Sequence, residues 1–496
     1  MRLWLLERAA ILAGAGLLAW FFLNAIFQPF YCGFGFNSDQ FSGLHLAQSF
    51  AFLHGAKYPS LESGILLTPI YGPVGFCFYW PAAMFSLPSN AVLAGQIMAA
   101  ACFFVPALWI FVKKNQPSRT SDSVLAFLVF GLLACTRHEL KYCAFGIHVD
   151  APALGLAATA VYLIYSGMQS RKRMILSALC VVLSIWSKQT MLPVAAALVL
   201  YVWIAQGRQA AVRYSWFLAL SGVLVTAVII YFFEARDLWL NMVTIPFRHP
   251  WASPEKLGMM GAPLSNPLFS SDKWAAGLAV IRELVKAVSI PILIFLLALY
   301  RDFKAGLFKR GISSWFASNP WSVFVLVGIF LLPAAFLGKV KIGGADNNFG
   351  LSLYFLFIGA LMTLGKKRSD VFLFCILMAV TVAHNRMVLF QNPLAPNEQR
   401  FVVDTAWRFA SKYPEEAYFP GIPLASMMAE KKGYHSPIGI WERTAAGFPV
   451  TSAHFRAGLP AKMKWVVLGP SYGFMPVLAP FLKRFPGCSV TDLPEL

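Results

Sequence analysis

The sequence predicts a polytopic α-helical membrane protein with a small C-terminal mixed α/β segment, on three observations. Hydrophobic residues make up 58% of the 496 and charged residues only 13%, with a mean hydropathy of +0.63, far from the balance of a soluble globular chain. Apolar runs approaching the ~20 residues that a helix needs to cross a hydrocarbon core recur down to about residue 390. Lysine and arginine collect in alternate connections between those runs, as cytoplasmic loops do.

In chain order, spans are expected near 9–28, 90–112, 122–138, 150–167, 174–187, 189–206, 214–233, 286–300, 321–338, 349–364 and 371–390, about eleven in all. The 174–187 run is short for a full crossing, so tilt, a break or a stop among the headgroups is expected there. The cytoplasmic clusters are Arg2 and Arg8; Lys113, Lys114 and Arg119; Arg171, Lys172 and Arg173; Arg208 and Arg213; Arg301, Lys304, Lys309 and Arg310; and Lys366, Lys367 and Arg368. This pattern puts the N-terminus inside and the C-terminal segment outside. The stretch from Tyr71 to Phe85 is apolar enough for one more span, but counting it would move every later cationic cluster to the outer face. Pro69, Pro73 and Pro81 also oppose a regular helix there, so a membrane-dipping or interfacial piece of the first outer loop is expected. The first span lacks a small-residue cleavage site and reads as an uncleaved anchor.

The membrane core therefore runs over 1–390, with outer loops 29–89, 138–149, 234–285 and 339–348. Residues 391–496 lose the long apolar runs. Val402 to Ser411 is helix-like and Lys464 to Leu468 favours a strand, which predicts an extracytoplasmic mixed α/β domain. The net charge of +19 is topological in the short loops and scattered elsewhere, so no nucleic-acid partner is expected. The eight cysteines show no metal-like spacing. Cys32, Cys77, Cys143 and Cys488 lie on the oxidising side in this topology, where a disulfide is open to them but not assigned.

The unusual polar residues sit on the outer face. Asp39, in Phe36-Asn37-Ser38-Asp39-Gln40-Phe41, opens a stretch to about His54 that suits a short helix at the membrane surface. Ser42, His45 and Ser49 form one stripe of it, with Leu44, Ala47 and Ala51 roughly opposite. Asp39 suits either a helix cap or a general base that meets an acceptor from water and a donor from lipid. In His148-Val149-Asp150, Asp150 suits a cap with Pro152 in the first turn, or a site role, because ionisable groups at a membrane boundary are costly unless used. Lys188, in Lys188-Gln189-Thr190, suits snorkelling or stabilisation of negative charge developing on a phosphate. Gly343-Gly344-Ala345-Asp346-Asn347-Asn348 follows Lys339 and Lys341 and reads as turn plus cap; Asn347 and Asn348 also suit sugar hydroxyls, and Lys341 a phosphate. In the C-terminal domain, the aromatic and arginine groups of Tyr434-His435 and Glu442-Arg443 suit sugar or phosphate binding, with His435 and Arg443 the candidates. The loop at Phe247-Arg248-His249-Pro250-Trp251 suits a lid.

Asp39, Tyr71-Gly72-Pro73, His148-Val149-Asp150, Lys188-Gln189-Thr190 and Asp346-Asn347-Asn348, in this order and on this face, resemble the GT-C superfamily of membrane glycosyltransferases. The nearer resemblance is to its bacterial protein-mannosyltransferase-like, family 39-type branch, over almost the whole chain. The resemblance implies a GT-C-like fold in the bacterial cytoplasmic membrane, and sugar transfer from a polyprenyl-phosphate donor to an extracytoplasmic glycan, lipid or protein acceptor. It makes Asp39 the catalytic base of an inverting displacement and Lys188 a ligand of the donor phosphate. His148, Asp150 and Asn348, with Tyr71 and Asn347 from the same motifs, would shape the sugar or acceptor site. Relatives differ in their use of a divalent metal; no multi-carboxylate cluster is visible here, so no cofactor is expected. The alternative is a transporter or flippase of lipid-linked sugars, which would place polar groups along a midplane path.

Overall fold

A computed structural model of the chain describes Gly16 and residues 38–113, 120–251, 271–363, 398–468 and 489–492. Its apolar runs become helices whose ends carry local signals. Proline stands in the first turn of Pro88–Val112 and of Leu192–Gln206, where its missing N–H costs nothing. Ser170 caps Arg171–Ser187 by accepting from the Arg173 amide. The remaining long helices are Thr120–Thr136, Asp150–Gly167, Arg208–Phe232, Ser271–Lys304, Ser322–Val340 and Asn347–Thr363.

Five helical stretches are long and apolar enough to cross a membrane: Pro88–Val112, Gln189–Gln206, Arg208–Phe232, Lys273–Lys304 and Ser322–Val340. A sixth is the pair Ser123–Thr136 and His138–Phe145, if the 97° bend between them lies within one span. The chain is thus a polytopic α-helical membrane protein, but the expected eleven spans are not reached among the described residues. Arg171–Ser187 and Asn347–Thr363 have 17 residues each, short of the ~20 a straight crossing needs. The 18-residue Asp150–Gly167 helix spends its first position on a carboxylate. The expected spans at 9–28, apart from Gly16, and at 371–390 lie outside the described residues. The Ser271–Lys304 helix begins well inside the stretch 234–285 that was expected to be an outer loop.

Asn347–Thr363 is buried along its whole length and forms the axis of the core, packed on Ser322–Val340. Ser352 Oγ donates to Gly328 O at 2.6 Å across that contact, and Tyr354 OH donates to Phe103 O at 2.9 Å. Both hydroxyls are satisfied by backbone carbonyls, as burial demands.

The Tyr71–Phe85 segment is not a span. It forms two short turns, Pro73–Cys77 and Trp80–Met84, that bury Phe76, Tyr79 and Ala82 while Phe78, Trp80, Met84 and Phe85 remain exposed. Gly72 is required here by close approach: a Cβ on it would run into the Trp186 carbonyl, two residues before Lys188. The Ser38–Leu53 helix departs from the expected surface helix. Ser42, His45 and Ser49 and the opposite Leu44, Ala47 and Ala51 are all buried, because the C-terminal residues cover the face that lipid or water would otherwise meet.

Those C-terminal residues form the helices Glu398–Lys412, Pro423–Glu430, Pro437–Ala445 and Ser452–Ala457 beside a parallel three-stranded sheet. Its strands β1 (Ala417–Tyr418), β2 (Trp465–Leu468) and β3 (Ser489–Asp492) lie in that order, with Ala417 opposite Trp465 and Val466 opposite Val490. One apolar cluster joins Leu44, Phe50 and Ala51 to Val403, Ala406, Leu424 and Met427. The Ser38–Leu53 helix and the C-terminal segment therefore share a core.

Candidate active site

Three helix ends meet at one point. Asp150 opens Asp150–Gly167, Lys188 caps the C-terminus of Arg171–Ser187, and Asn347 opens Asn347–Thr363. Lys188 Nζ donates to Asp150 Oδ1 at 2.5 Å and to Asn348 Oδ1 at 3.3 Å, while Asn347 Nδ2 donates to Asp150 Oδ2 at 2.5 Å. His148 Nδ1 lies 3.0 Å from Asp150 Oδ2 and 3.3 Å from the Asp150 amide. A proton on Nδ1 serves the first contact and a proton on Nε2 the second. The Lys188 and Asp150 side chains are 3% and 0% exposed; such a buried pair is tolerable only when further hydrogen bonds use the remaining lone pairs and protons.

Aromatic rings wall this pair. The Tyr71 centroid lies 5.9 Å from Lys188 Nζ and 4.9 Å from the His148 ring, and the His45 ring lies 4.4 Å from His148. His45 Nδ1 faces Phe41 O at 2.8 Å. Burial, with His148 beside it, pulls the His45 pKa down to about 3, so the ring is neutral and Nδ1 donates. That leaves Nε2 as a buried acceptor with no partner, and Asn347 Oδ1 is another. Unpaired buried acceptors are expensive, and a sugar presents hydroxyl donors that would satisfy them.

A second amine stands nearby. Lys341, just past the end of Ser322–Val340, is pulled down to about 8 by burial and by the charge of Lys188, with Glu442 opposing. Its backbone is held by an antiparallel bridge to Trp251 and by Ile342 N donating to Pro250 O at 2.7 Å. The two amines are thus near enough for the charge of Lys188 to act on Lys341, an arrangement that suits an anion.

The structure brings Lys188, Lys341, His148, Asp150, Asn347, Asn348 and Tyr71 together. It gives Asp150 a narrower part than sugar contact, since both of its oxygens already accept from side chains of the site. Asp39 lies in the first turn of Ser38–Leu53, six residues or roughly 9 Å of helix rise from His45; its side chain lies outside the described residues. His435 and Arg443 are not brought into the cluster. His435 Nδ1 accepts from the Leu66 amide at 2.9 Å and Nε2 contacts His454 O at 3.0 Å. The Arg443 guanidinium donates to the carbonyls of Pro59, Ser60 and Leu61. Both clamp residues 59–66 to the C-terminal residues, because a segment buried under another layer needs partners for its backbone groups.

Sequence reasoning did not single out Glu442 or the unpaired Nε2 of His45. The Ser42/His45/Ser49 stripe was the signal for His45, whereas nothing local distinguishes Glu442 from a surface glutamate. Among the described residues no group of three His, Cys, Asp or Glu is placed to hold a metal ion. Cys77 and Cys143 are free thiols; Cys32 and Cys488 lie outside the described residues. A cleft of about 350 Å³ is lined by Ser60, Glu62, Arg236, Asp237, Trp239 and Leu240, and its Leu240 packs against the same small apolar cluster as Tyr71.

One substitution tests how tightly the site is built. A Cβ at Gly338 would come within 2.7 Å of Asn348 Cγ, so Gly338→Ala must turn the Asn348 amide away and strip Lys188 of its second acceptor. The expected cost is about 1–3 kcal/mol, the range for overpacking, read as a lower melting temperature in detergent. Adding Asn348→Ala should relieve the clash and recover part of the loss; a Gly338→Ala protein that melts like the parent would show the contact to be slack.

No family model matches the sequence and no curated protein matches it, so the family 39-type branch is not assigned. Among solved structures, ArnT from Cupriavidus metallidurans in the apo state is similar at 13% identity over 91% of this chain and 77% of that one, with a TM-score of 0.45. ArnT from the same organism bound to undecaprenyl phosphate is similar at 11% identity over 98% and 89%, with a TM-score of 0.45. The archaeal oligosaccharyltransferase AglB from Archaeoglobus fulgidus follows at 11% identity over 83% and 63%, with a TM-score of 0.41. Likenesses at this level do not assign an activity.

Proposed function

We propose that this chain is an inverting membrane glycosyltransferase of the GT-C kind, moving a sugar from a polyprenyl-phosphate donor to an extracytoplasmic glycan, lipid or protein acceptor. The single observation that carries the reading is the convergence of Lys188 and Lys341 at one end of the bundle, beneath the C-terminal domain. In this reading the donor phosphate lies by the two amines and its sugar ring faces His45 Nε2 and Asn347 Oδ1, the unpaired acceptors. The acceptor enters by the Trp239 cleft. Its hydroxyl oxygen forms a bond to the anomeric carbon while the bond from that carbon to the phosphate oxygen breaks. Asp39 takes the hydroxyl proton and the polyprenyl phosphate leaves with the electron pair. The phosphate is a good leaving group, so a single displacement serves and inverts the anomeric centre.

A transporter of lipid-linked sugars would need polar groups along a path through the bundle. Among the described residues the ionisable cluster lies at helix ends, and interior serines such as Ser177 and Ser184 donate to backbone carbonyls. The test is transfer itself. Purified chain in vesicles containing a polyprenyl-phosphate sugar should convert envelope glycolipids or glycans to products one sugar heavier by mass spectrometry, and the same products should vanish from cells lacking the chain. Movement of the donor between leaflets with no heavier product would overturn the proposal in favour of transport.

A further inference from the structure

We propose that Glu442 is a third ligand of the donor phosphate, supplied to Lys188 and Lys341 by the C-terminal domain. The inference rests on the glycosyltransferase reading and deepens it. Glu442 lies on the Pro437–Ala445 helix, is 7% exposed, and its Oε2 has no hydrogen-bond partner. That helix is fastened to the strand of loop leading to Tyr71. Ser436 N donates to Leu66 O at 2.7 Å, Ser436 Oγ donates to Leu67 O at 2.8 Å, and the Arg443 guanidinium clasps the carbonyls of Pro59, Ser60 and Leu61. His249 Nε2, from the other side, contacts the Glu442 carbonyl at 2.9 Å. A side chain so firmly aimed, and yet unpartnered, is placed for something that arrives.

The groups facing it are Lys341, whose charge it feels, and Tyr71, whose hydroxyl feels its charge in turn, with the His249 imidazole held neutral by burial at about 4. No ion pair joins Glu442 to Lys341 among the described residues. Burial raises Glu442 to about 8 against the pull of Lys341, so near neutral pH it is a carboxylic acid with one proton to donate. The charge count then favours an anion. Asp150 cancels Lys188, and Lys341 is left positive beside a neutral Glu442. An ionised Glu442 would cancel Lys341 and repel the phosphate. As an acid it donates its O–H to a phosphate oxygen, a charge-assisted hydrogen bond and one of the stronger kinds.

The experiment measures binding of undecaprenyl phosphate, and of the neutral alcohol undecaprenol, to the full chain in detergent. The parent protein should prefer the phosphate by at least about tenfold. Glu442→Ala should weaken phosphate binding about tenfold and leave the alcohol unchanged. Glu442→Gln, which keeps a donor in the same place, should stay within about twofold of the parent at pH 7. Raising the pH to 9 ionises Glu442 and discharges Lys341 in the parent, but only the second occurs in Glu442→Gln, whose loss of affinity should be clearly smaller. Equal pH losses in the two proteins, or a Glu442→Ala protein that binds phosphate like the parent while Lys188→Ala does not, would overturn the role of Glu442 alone. An equal loss of phosphate and alcohol in Glu442→Ala would also overturn it, since it would mark a structural part. A parent protein with no preference for phosphate over alcohol would instead overturn the reading on which the inference rests.

Discussion

Lys188→Ala is expected to destabilise the protein by about 3–5 kcal/mol and to abolish use of a polyprenyl-phosphate donor. The stability loss follows from what the substitution leaves behind. Asp150 is fully buried and keeps Asn347 and His148 as neighbours, but it loses the only amine bonded to it among the described residues, and an uncompensated buried charge costs about that much. Asp150→Ala should be as damaging, since it strands the ammonium instead. Removing both charges together, as in Asp150→Leu with Lys188→Met, should recover most of the melting temperature, because apolar residues of similar volume often replace a buried ion pair at little cost. Donor use should stay lost in the double variant. Melting curves for the parent, Asp150→Leu, Lys188→Met and the double variant close the cycle that gives the coupling; single variants that melt like the parent would show that the pair is not the brace described here.

The second large effect is on turnover alone. Asp39→Asn should reduce sugar transfer by roughly 10²–10⁴-fold, the range for loss of a general base, with the melting temperature unchanged. Asn can still cap a helix, so a role confined to the first turn of Ser38–Leu53 would survive the substitution with full activity. Transfer measured in vesicles, with Asp39→Glu to ask whether a shifted carboxylate rescues part of the rate, separates the two. Full turnover by Asp39→Asn would remove Asp39 from the chemistry.

How much of the site was legible varies residue by residue. Lys188, Asp150, Asn347 and Asn348 were visible because a charged or amide group beside a long apolar run is conspicuous whatever it touches. Lys341 was visible for the same reason. Glu442 was not, because what marks it is burial within electrostatic reach of Lys341 and Tyr71, 101 and 371 residues away in sequence. For His435 and Arg443 the sequence shows residue types that suit ligands and not the partners they have: the carbonyls of Pro59, Ser60, Leu61 and Gly64 need donors once covered, and the C-terminal residues supply them through Arg443 and His454.

Composition and the recurrence of apolar runs were enough to establish a polytopic helical membrane protein, because the energy of apolar surface against a bilayer is nearly additive along a chain. Which helices are long enough to cross, how the Ser38–Leu53 helix and the C-terminal segment merge into one core, and which side chains close on Asp150 emerge only on folding. Those outcomes depend on distances between residues far apart in the chain, and a buried ion pair or an unpaired carboxyl is defined by such distances alone.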